Sequence, residues 1–422
     1  MTPERDELEQ RLKGFEDAKK AAKGKDDKAF LQNARGIVET IKAISRLSVE
    51  NQITDWQVSS YCWALYAILS KSGDALERRQ TAVRLVCAYR RKIDSTRFWG
   101  DASAAEFGKT LFNGIVLQLY KLVKDSGEGA EATLLKSVAK PYLEMLSLRA
   151  EPYLDDAAFK KEPVTDEQRL AMEAHAGKKI KMKEWPSLAE KAFGLMKRCL
   201  KADSAAMPSD ELVAFLDKNV NRGQWLGFYC ALAHLRRNEL APARKLLTEV
   251  VRMKKNEAWA WEFLAQAFRD QPEKTAGCLC KVLLCPSHDQ QIAQAMSVKA
   301  HQLLAKCLVS LGRTQEAKRE MELAAQKTVT RVNDEFYRHE AATVVSEVLG
   351  VEGQAGAKPF SGRLIKHAGH EYGFVKDKAL GSVFVPPKFA EKLKDGDFVK
   401  GKAALKEDKK KKKSGYCMII AL

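Results

Sequence analysis

No run of 18 apolar residues occurs in the 422-residue sequence, so no stretch is built to cross a membrane as a helix. The amino terminus, Met1-Thr2-Pro3-Glu4-Arg5-Asp6, is charged and lacks the apolar centre of a secretory leader. The cytoplasm is the expected location. Cysteine is sparse, and its odd count of nine, without regular spacing, fits a reducing compartment better than a disulfide framework. There is no Walker-type phosphate loop and no Gly-x-Gly-x-x-Gly following a strand. A defensible Ser-His-Asp or Cys-His set is also lacking. Enzyme activity is therefore not expected, and no catalytic residue, cofactor or metal is assigned. The one metal-like cluster, Cys278, Cys280, Cys285 and His288, has poor geometry. Two cysteines two apart on a helix stand about 200° apart around its axis and do not share one ion readily. Cys62, Cys87, Cys199, Cys230 and Cys307 sit among apolar residues and are read as small buried hydrophobes.

What the chain does have is apolar content and positive charge. Apolar residues make up 45% of it, ample for a folded core, and the length suits two or three domains. The net charge is +17, of which 15 Lys and one Arg against 7 acids fall after residue 357. Charge this concentrated attracts phosphate backbones or anionic surfaces, unless it is a solubilising tail.

The same last 65 residues break with the helical pattern before them. Short β segments follow one another: Gly362-Arg363-Leu364, Tyr372-Gly373-Phe374-Val375, Gly381-Ser382-Val383-Phe384-Val385 and Gly396-Asp397-Phe398-Val399. Residues two apart on a strand share a face. Tyr372 and Phe374 therefore point one way and Val375 the other. Phe384 joins the aromatic side if the strands pair, with Val383 and Val385 inward. Leu364, Val375, Val383, Val385, Leu393 and Val399 suffice to fill a small barrel. The rings are then left outside, as a stacking platform of the kind that grips single-stranded nucleic acid. The alternative packs them as core. Lys366, His367, His370, Lys376 and Lys388 form the expected rim, with Lys409 to Lys413 in the loop before the final strand.

The order Gly-x-Leu, Tyr372-Gly373-Phe374-Val375, Val383-Phe384-Val385, Gly396-Asp397-x-Val399 resembles the cold-shock domain, a five-stranded OB barrel. Pro386 stands where that family usually has histidine. Val383 to Pro387 is closer to the cold-shock-type domains of bacterial RNB exoribonucleases. Ile365-Lys366-His367 occupies the place of the family's first-strand tryptophan. The resemblance implies binding of RNA, or otherwise single-stranded DNA, through Tyr372, Phe374 and Phe384.

Upstream the pattern is helical. Ile37, Ile41, Ile44 and Leu47 recur at three and four, and further helices are predicted near 55–71, 74–93, 103–125 and 131–149. Between about 208 and 348, Leu226, Tyr229, Ala233, Leu240, Ala243 and Leu247 fit a helix–turn–helix unit. Leu304, Leu308, Gly312, Ala317 and Met321 fit another. Ala243 and Ala317 stand where helices approach closest, and Gly312 turns the chain. These units resemble tetratricopeptide repeats. The whole arrangement resembles a bacterial family joining divergent repeats of that kind to a cold-shock-like domain, some of whose members occur in conflict or defence systems.

The expected fold is mainly α: a helical solenoid followed by a five-stranded OB-type barrel. Its parts are a charged N-terminal helix or tail (1–28), a helical solenoid (29–149), a charged connection (150–185), repeats (186–349), a linker (350–359) and the barrel (360–422). The expected function is a nucleic-acid-binding adaptor whose helical part recruits a protein partner. Trp225, Tyr229, Trp259 and Trp261 either fill its core or line a groove. A basic group from Arg236 to Lys255 is either a solvated face or a further binding track. The rivals are a pure protein-interaction scaffold and an accessory subunit of a nuclease or helicase. No oligomeric state is assigned.

Overall fold

A computed structural model describes residues 3–47, 53–93, 102–176, 183–223, 225–285, 290–326, 334–349, 358–366, 371–391, 393–408 and 413–421. The chain divides into two compact units, Met1–Leu246 and Leu247–Leu422.

The first unit is helical: α1 (Pro3–Ala22), α2 (Asp27–Arg46), α3 (Asp55–Lys71), α4 (Ala75–Ile93), α5 (Ala102–Asp125), α6 (Glu128–Tyr153), α7 (Asp166–Ala176), α8 (Leu188–Ala202), α9 (Asp210–Asn219) and α10 (Leu226–Arg236). Local chemistry sets several boundaries. The Asp26 carboxylate accepts from the Ala29 amide at the start of α2. Thr54 with Gln57, and Ser187 with Glu190, form reciprocal capping boxes at α3 and α8. The stripe predicted for α2 is its buried face, through Ile37, Ile41 and Ile44. One core runs through this unit, and buried tyrosines stitch it: the Tyr89 hydroxyl donates to the Gly108 carbonyl at 2.7 Å and the Tyr142 hydroxyl to the Ala192 carbonyl at 3.1 Å.

Of the helix or tail expected at the N-terminus, the structure has the helix: Leu8, Leu12 and Phe15 give α1 a narrow apolar stripe, and Leu12 is fully buried. The charged stretch 150–185 holds a 3-10 turn at Asp156–Phe159, helix α7 and an isolated bridge between Pro163 and Glu184.

α11 (Leu240–Met253) spans the division between the units. The second unit then holds α12 (Ala258–Ala267), α13 (Pro272–Leu284), α14 (Gln290–Ser310), α15 (Thr314–Ala325) and α16 (Asp334–Leu349). Two turns 74 residues apart share one construction. Asn238 has φ +63° and Gly312 φ +74°. After each, the next amide reaches back to a helix carbonyl: Glu239 to His234 at 2.9 Å and Arg313 to Leu308 at 2.8 Å. This is the left-handed C-terminal cap that ends a helix and starts its return partner. Ala243 and Ala317 follow at the same offset, both buried. α13 and α16 meet closely at Gly277, where an added Cβ would lie 2.9 Å from the Glu340 carbonyl oxygen and 2.9 Å from the Val344 side chain. A buried carboxylate ties three helices, as Glu320 takes His301 Nδ1 at 2.6 Å and the Tyr337 hydroxyl at 3.1 Å.

The chain ends in a closed barrel of β1 (Lys358–Lys366), β2 (Gly373–Asp377), β3 (Gly381–Val385), β4 (Phe398–Asp408) and β5 (Lys413–Ala421), with a one-turn helix α17 (Pro387–Ala390) after β3. The strand order is β1-β2-β3-β5-β4. All pairs are antiparallel except β3–β5, and β4 also pairs with β1 to close the ring. Phe360, Leu364, Val375, Val383, Val385, Val399 and Met418 fill its interior, with Leu393 packed against them. The mainly helical chain with a terminal five-stranded barrel is the architecture expected from sequence.

Asn238→Val places a β-branched residue at a left-handed position and should lower stability by about 1–2 kcal/mol. Asn238→Gly should leave it level or slightly higher. Gly277→Ala should cost about 1–3 kcal/mol through overpacking against α16. Equilibrium denaturation of the full chain checks all three.

Candidate nucleic-acid interface

The β2–β3 hairpin builds the site. Its register places Phe374 opposite Phe384 and Val375 opposite Val383. With Val375, Val383 and Val385 at 0% exposure inside, alternation turns Phe374 and Phe384 outward. Tyr372, just ahead of β2, joins them. Its ring lies 5.9 Å from Phe374 and 5.4 Å from Phe384, and those two lie 5.5 Å apart. All three are half-buried. They form one aromatic cluster on the outer wall, and the alternative that packs them inside the barrel does not hold.

Asp377 sets the hairpin. Its Oδ1 accepts from the amides of Ala379 at 2.8 Å and Leu380 at 2.9 Å, and its Oδ2 from the Ser361 amide of β1 at 3.0 Å. These backbone donors, Ser361 first, hold the carboxyl below its ordinary range.

Sequence reasoning missed part of this wall. Ile365 pairs with Phe374 across β1–β2 and is exposed. Arg363, two residues back on the same side of β1, is exposed and pairs with Phe398 of β4. Phe398 is 63% exposed, with the Lys400 ammonium 5.9 Å from its ring centre. The signal was available, since an inward Val399 requires an outward Phe398 beside it. Lys376, on the outer side of β2 next to Phe374, is exposed as expected. Among the described residues, Arg363 and Lys376 have no carboxylate partner.

Lys366 departs from the expected rim. Its Nζ donates to the carbonyls of Ala390 at 3.0 Å and Leu393 at 3.1 Å, closing the end of α17. Its charge is spent on backbone dipoles rather than offered to solvent. Lys388 lies on α17 with no side-chain geometry to assign. His367, His370 and most of the Lys409–Lys413 run fall outside the described residues.

The remaining candidates sort as follows. Trp261 is fully buried and donates to the Lys255 carbonyl at 2.9 Å. Trp225 and Tyr229 instead border a cavity of about 410 Å³ with Tyr120, Lys197 and Arg198. Much of the basic group is committed within the chain. Arg236 donates to the Leu200 and Asp203 carbonyls, Arg237 pairs with Asp210 and Glu239, and Arg252 donates to the Val348 carbonyl. Lys245 and Lys255 of the same group are exposed. Cys278 and Cys280 are buried, and burial pushes both thiols up. His288 lies outside the described residues. No described helix is long and apolar enough to cross a membrane.

Residues 358–419 match the S1/CSD-like domain 2 of the TOTE conflict systems. The barrel is similar to a cold-shock-type module. Residues 224–342 match a domain of unknown function, DUF7017. Nothing among curated proteins matches the chain. A solved chain described as "Computational Design of Self-Assembling Cyclic Protein Homooligomers" is 15% identical, with 83% of this chain and 94% of that chain covered. Its TM-score of 0.14 is too low to bear on the fold.

A carboxyl whose folded pKa is depressed stabilises the fold above its unfolded value, and that contribution is lost as pH falls through the folded value. Protection of the β2 amides against hydrogen exchange should therefore weaken on acidification through the carboxylate range. In Asp377→Asn it should be lower at neutral pH and nearly flat over the same range. An unaltered acid limb in the variant would contradict the clamp.

Proposed function

We propose that the barrel binds RNA, or otherwise single-stranded DNA, with bases stacked on Tyr372, Phe374 and Phe384 and phosphates drawn by Lys376, Arg363 and Lys400. The observation that carries this reading is the ring cluster on the outer wall together with the exposed cations Arg363, Lys376 and Lys400. A stacked base contributes about 1–3 kcal/mol and requires no particular sequence. The cations add a salt-dependent, sequence-independent term. The preference for RNA rests on the resemblance of the strand motifs to cold-shock domains.

In this reading the helical part is a scaffold of tetratricopeptide type and recruits a protein partner. The repeated turn at Asn238 and Gly312, with Ala243 and Ala317 in register behind it, supports that description. The chain is an adaptor and carries out no reaction of its own. Similarity of the barrel to a domain of TOTE conflict systems favours service as an accessory subunit to a nuclease or helicase there.

Fluorescence anisotropy with labelled poly-U and poly-dT, over a series of salt concentrations, tests the reading. Tyr372→Ala/Phe374→Ala should raise Kd at least about tenfold with the fold intact. Lys376→Ala should reduce the salt slope by about 1. Lys366→Ala should act on barrel stability and leave the slope unchanged. No binding by the wild-type chain, or equal binding by the double variant, would leave a protein-interaction scaffold in its place.

A further inference from the structure

Three different metal-binding atoms converge between α9 and α10. Cys230 and His234 are four residues apart and so lie on one face of α10. Asp217 comes from the last turn of α9. Asp217 Oδ1 is 3.1 Å from Cys230 Sγ and 3.1 Å from His234 Nε2. The three ligand atoms all lie within 4.8 Å of one another. Tetrahedral zinc, with bonds of about 2.0–2.3 Å, spaces its ligands about 3.3–3.7 Å apart. Two of the separations fall slightly below that range and the third is under 4.8 Å, so small side-chain shifts would seat an ion.

A second observation concerns the far side of the imidazole. His234 Nδ1 is 2.6 Å from Glu239 Oε2, and Glu239 is fixed in turn by Arg237 at 2.8 Å. Glu239 sits just after the left-handed turn at Asn238, which brings its carboxylate back over the end of α10. A carboxylate on Nδ1 holds that nitrogen as a donor, so that with an ion seated Nε2 turns its lone pair toward it beside Asp217 and Cys230. We propose that Asp217, Cys230 and His234 bind a zinc-class divalent cation, with Glu239 as the residue that positions His234.

The donor set selects the class of ion. Thiolate and imidazole favour zinc or cobalt over magnesium or calcium. Cys230 and His234 are buried, while the Asp217 side chain is 51% exposed, so solvent completes the coordination from the Asp217 side. Burial, and then the neighbouring Asp217, push the Cys230 thiol up. Ion binding would displace the thiol proton to water. The ion would staple α9 to α10 and to the turn leading into α11. This site is distinct from the cysteine cluster at 278–285 and independent of nucleic-acid binding by the barrel.

The test uses the full chain, prepared without chelator and loaded with zinc or with cobalt(II). Elemental analysis after gel filtration should find one zinc per chain. The cobalt form should show a thiolate-to-cobalt charge-transfer band that Cys230→Ser removes, although eight other cysteines remain. Glu239→Gln should weaken zinc affinity by about 10–100-fold. Asp217→Asn, at a half-exposed position, should lose affinity with unchanged far-UV circular dichroism. Zinc retention no greater than in Asp217→Asn, or a cobalt band that survives Cys230→Ser, would overturn the proposal. The trio would then be a hydrogen-bonded cluster and nothing more.

Discussion

Interior volume is the constraint on which the carboxyl-terminal barrel depends. Five short strands enclose a space that Phe360, Leu364, Val375, Val383, Val385, Val399 and Met418 already occupy. A close-packed interior admits no further rings. Strict alternation then leaves Phe374 and Phe384 only the outer wall, and Tyr372 packs there with them. The apolar surface so exposed is offset by the tight inner packing, and the exposed Lys376 lies on the same outer side of β2. The aromatic cluster is thus a consequence of how the barrel is filled.

The helical part rests on a different constraint, close approach of backbones. Gly277 lets α13 meet α16, and Ala243 and Ala317 follow turns that only a left-handed residue completes. At one of these turns the residue is glycine and at the other asparagine, the side chain best tolerated there after glycine. The two turns keep the same offset from their alanines. The two buried histidines of the described helices are paired. Glu320 holds His301 and Tyr337, and Glu239 holds His234, so neither histidine is a solitary core residue.

Much of this was legible in the sequence because it depends on short-range periodicity. Helices α3 to α6 fall within a few residues of their predicted spans, and the inward set of the barrel follows from counting by twos. What escaped reading depends on contacts between distant segments. Lys366 reads as a free cation until the end of α17 is placed over it. Arg236, Arg237 and Arg252 read as a basic face until their carbonyl and carboxylate partners arrive from other helices. The Asp217–Cys230–His234 group spans a helix–helix contact, and only its Cys-x-x-x-His half lies on one element. Phe398 is a different case: its outward direction followed from Val399, but no neighbouring ring on its own strand drew attention to it.

The central claim is that bases lie against the rings of the β2–β3 hairpin. Photocrosslinking of a 5-iodouracil-containing oligonucleotide to the full chain, followed by peptide mapping, tests it at the residue level. The account predicts adducts on Tyr372, Phe374 or Phe384, with Phe398 as a further acceptor. Adducts confined to the helical residues before 350 would contradict it.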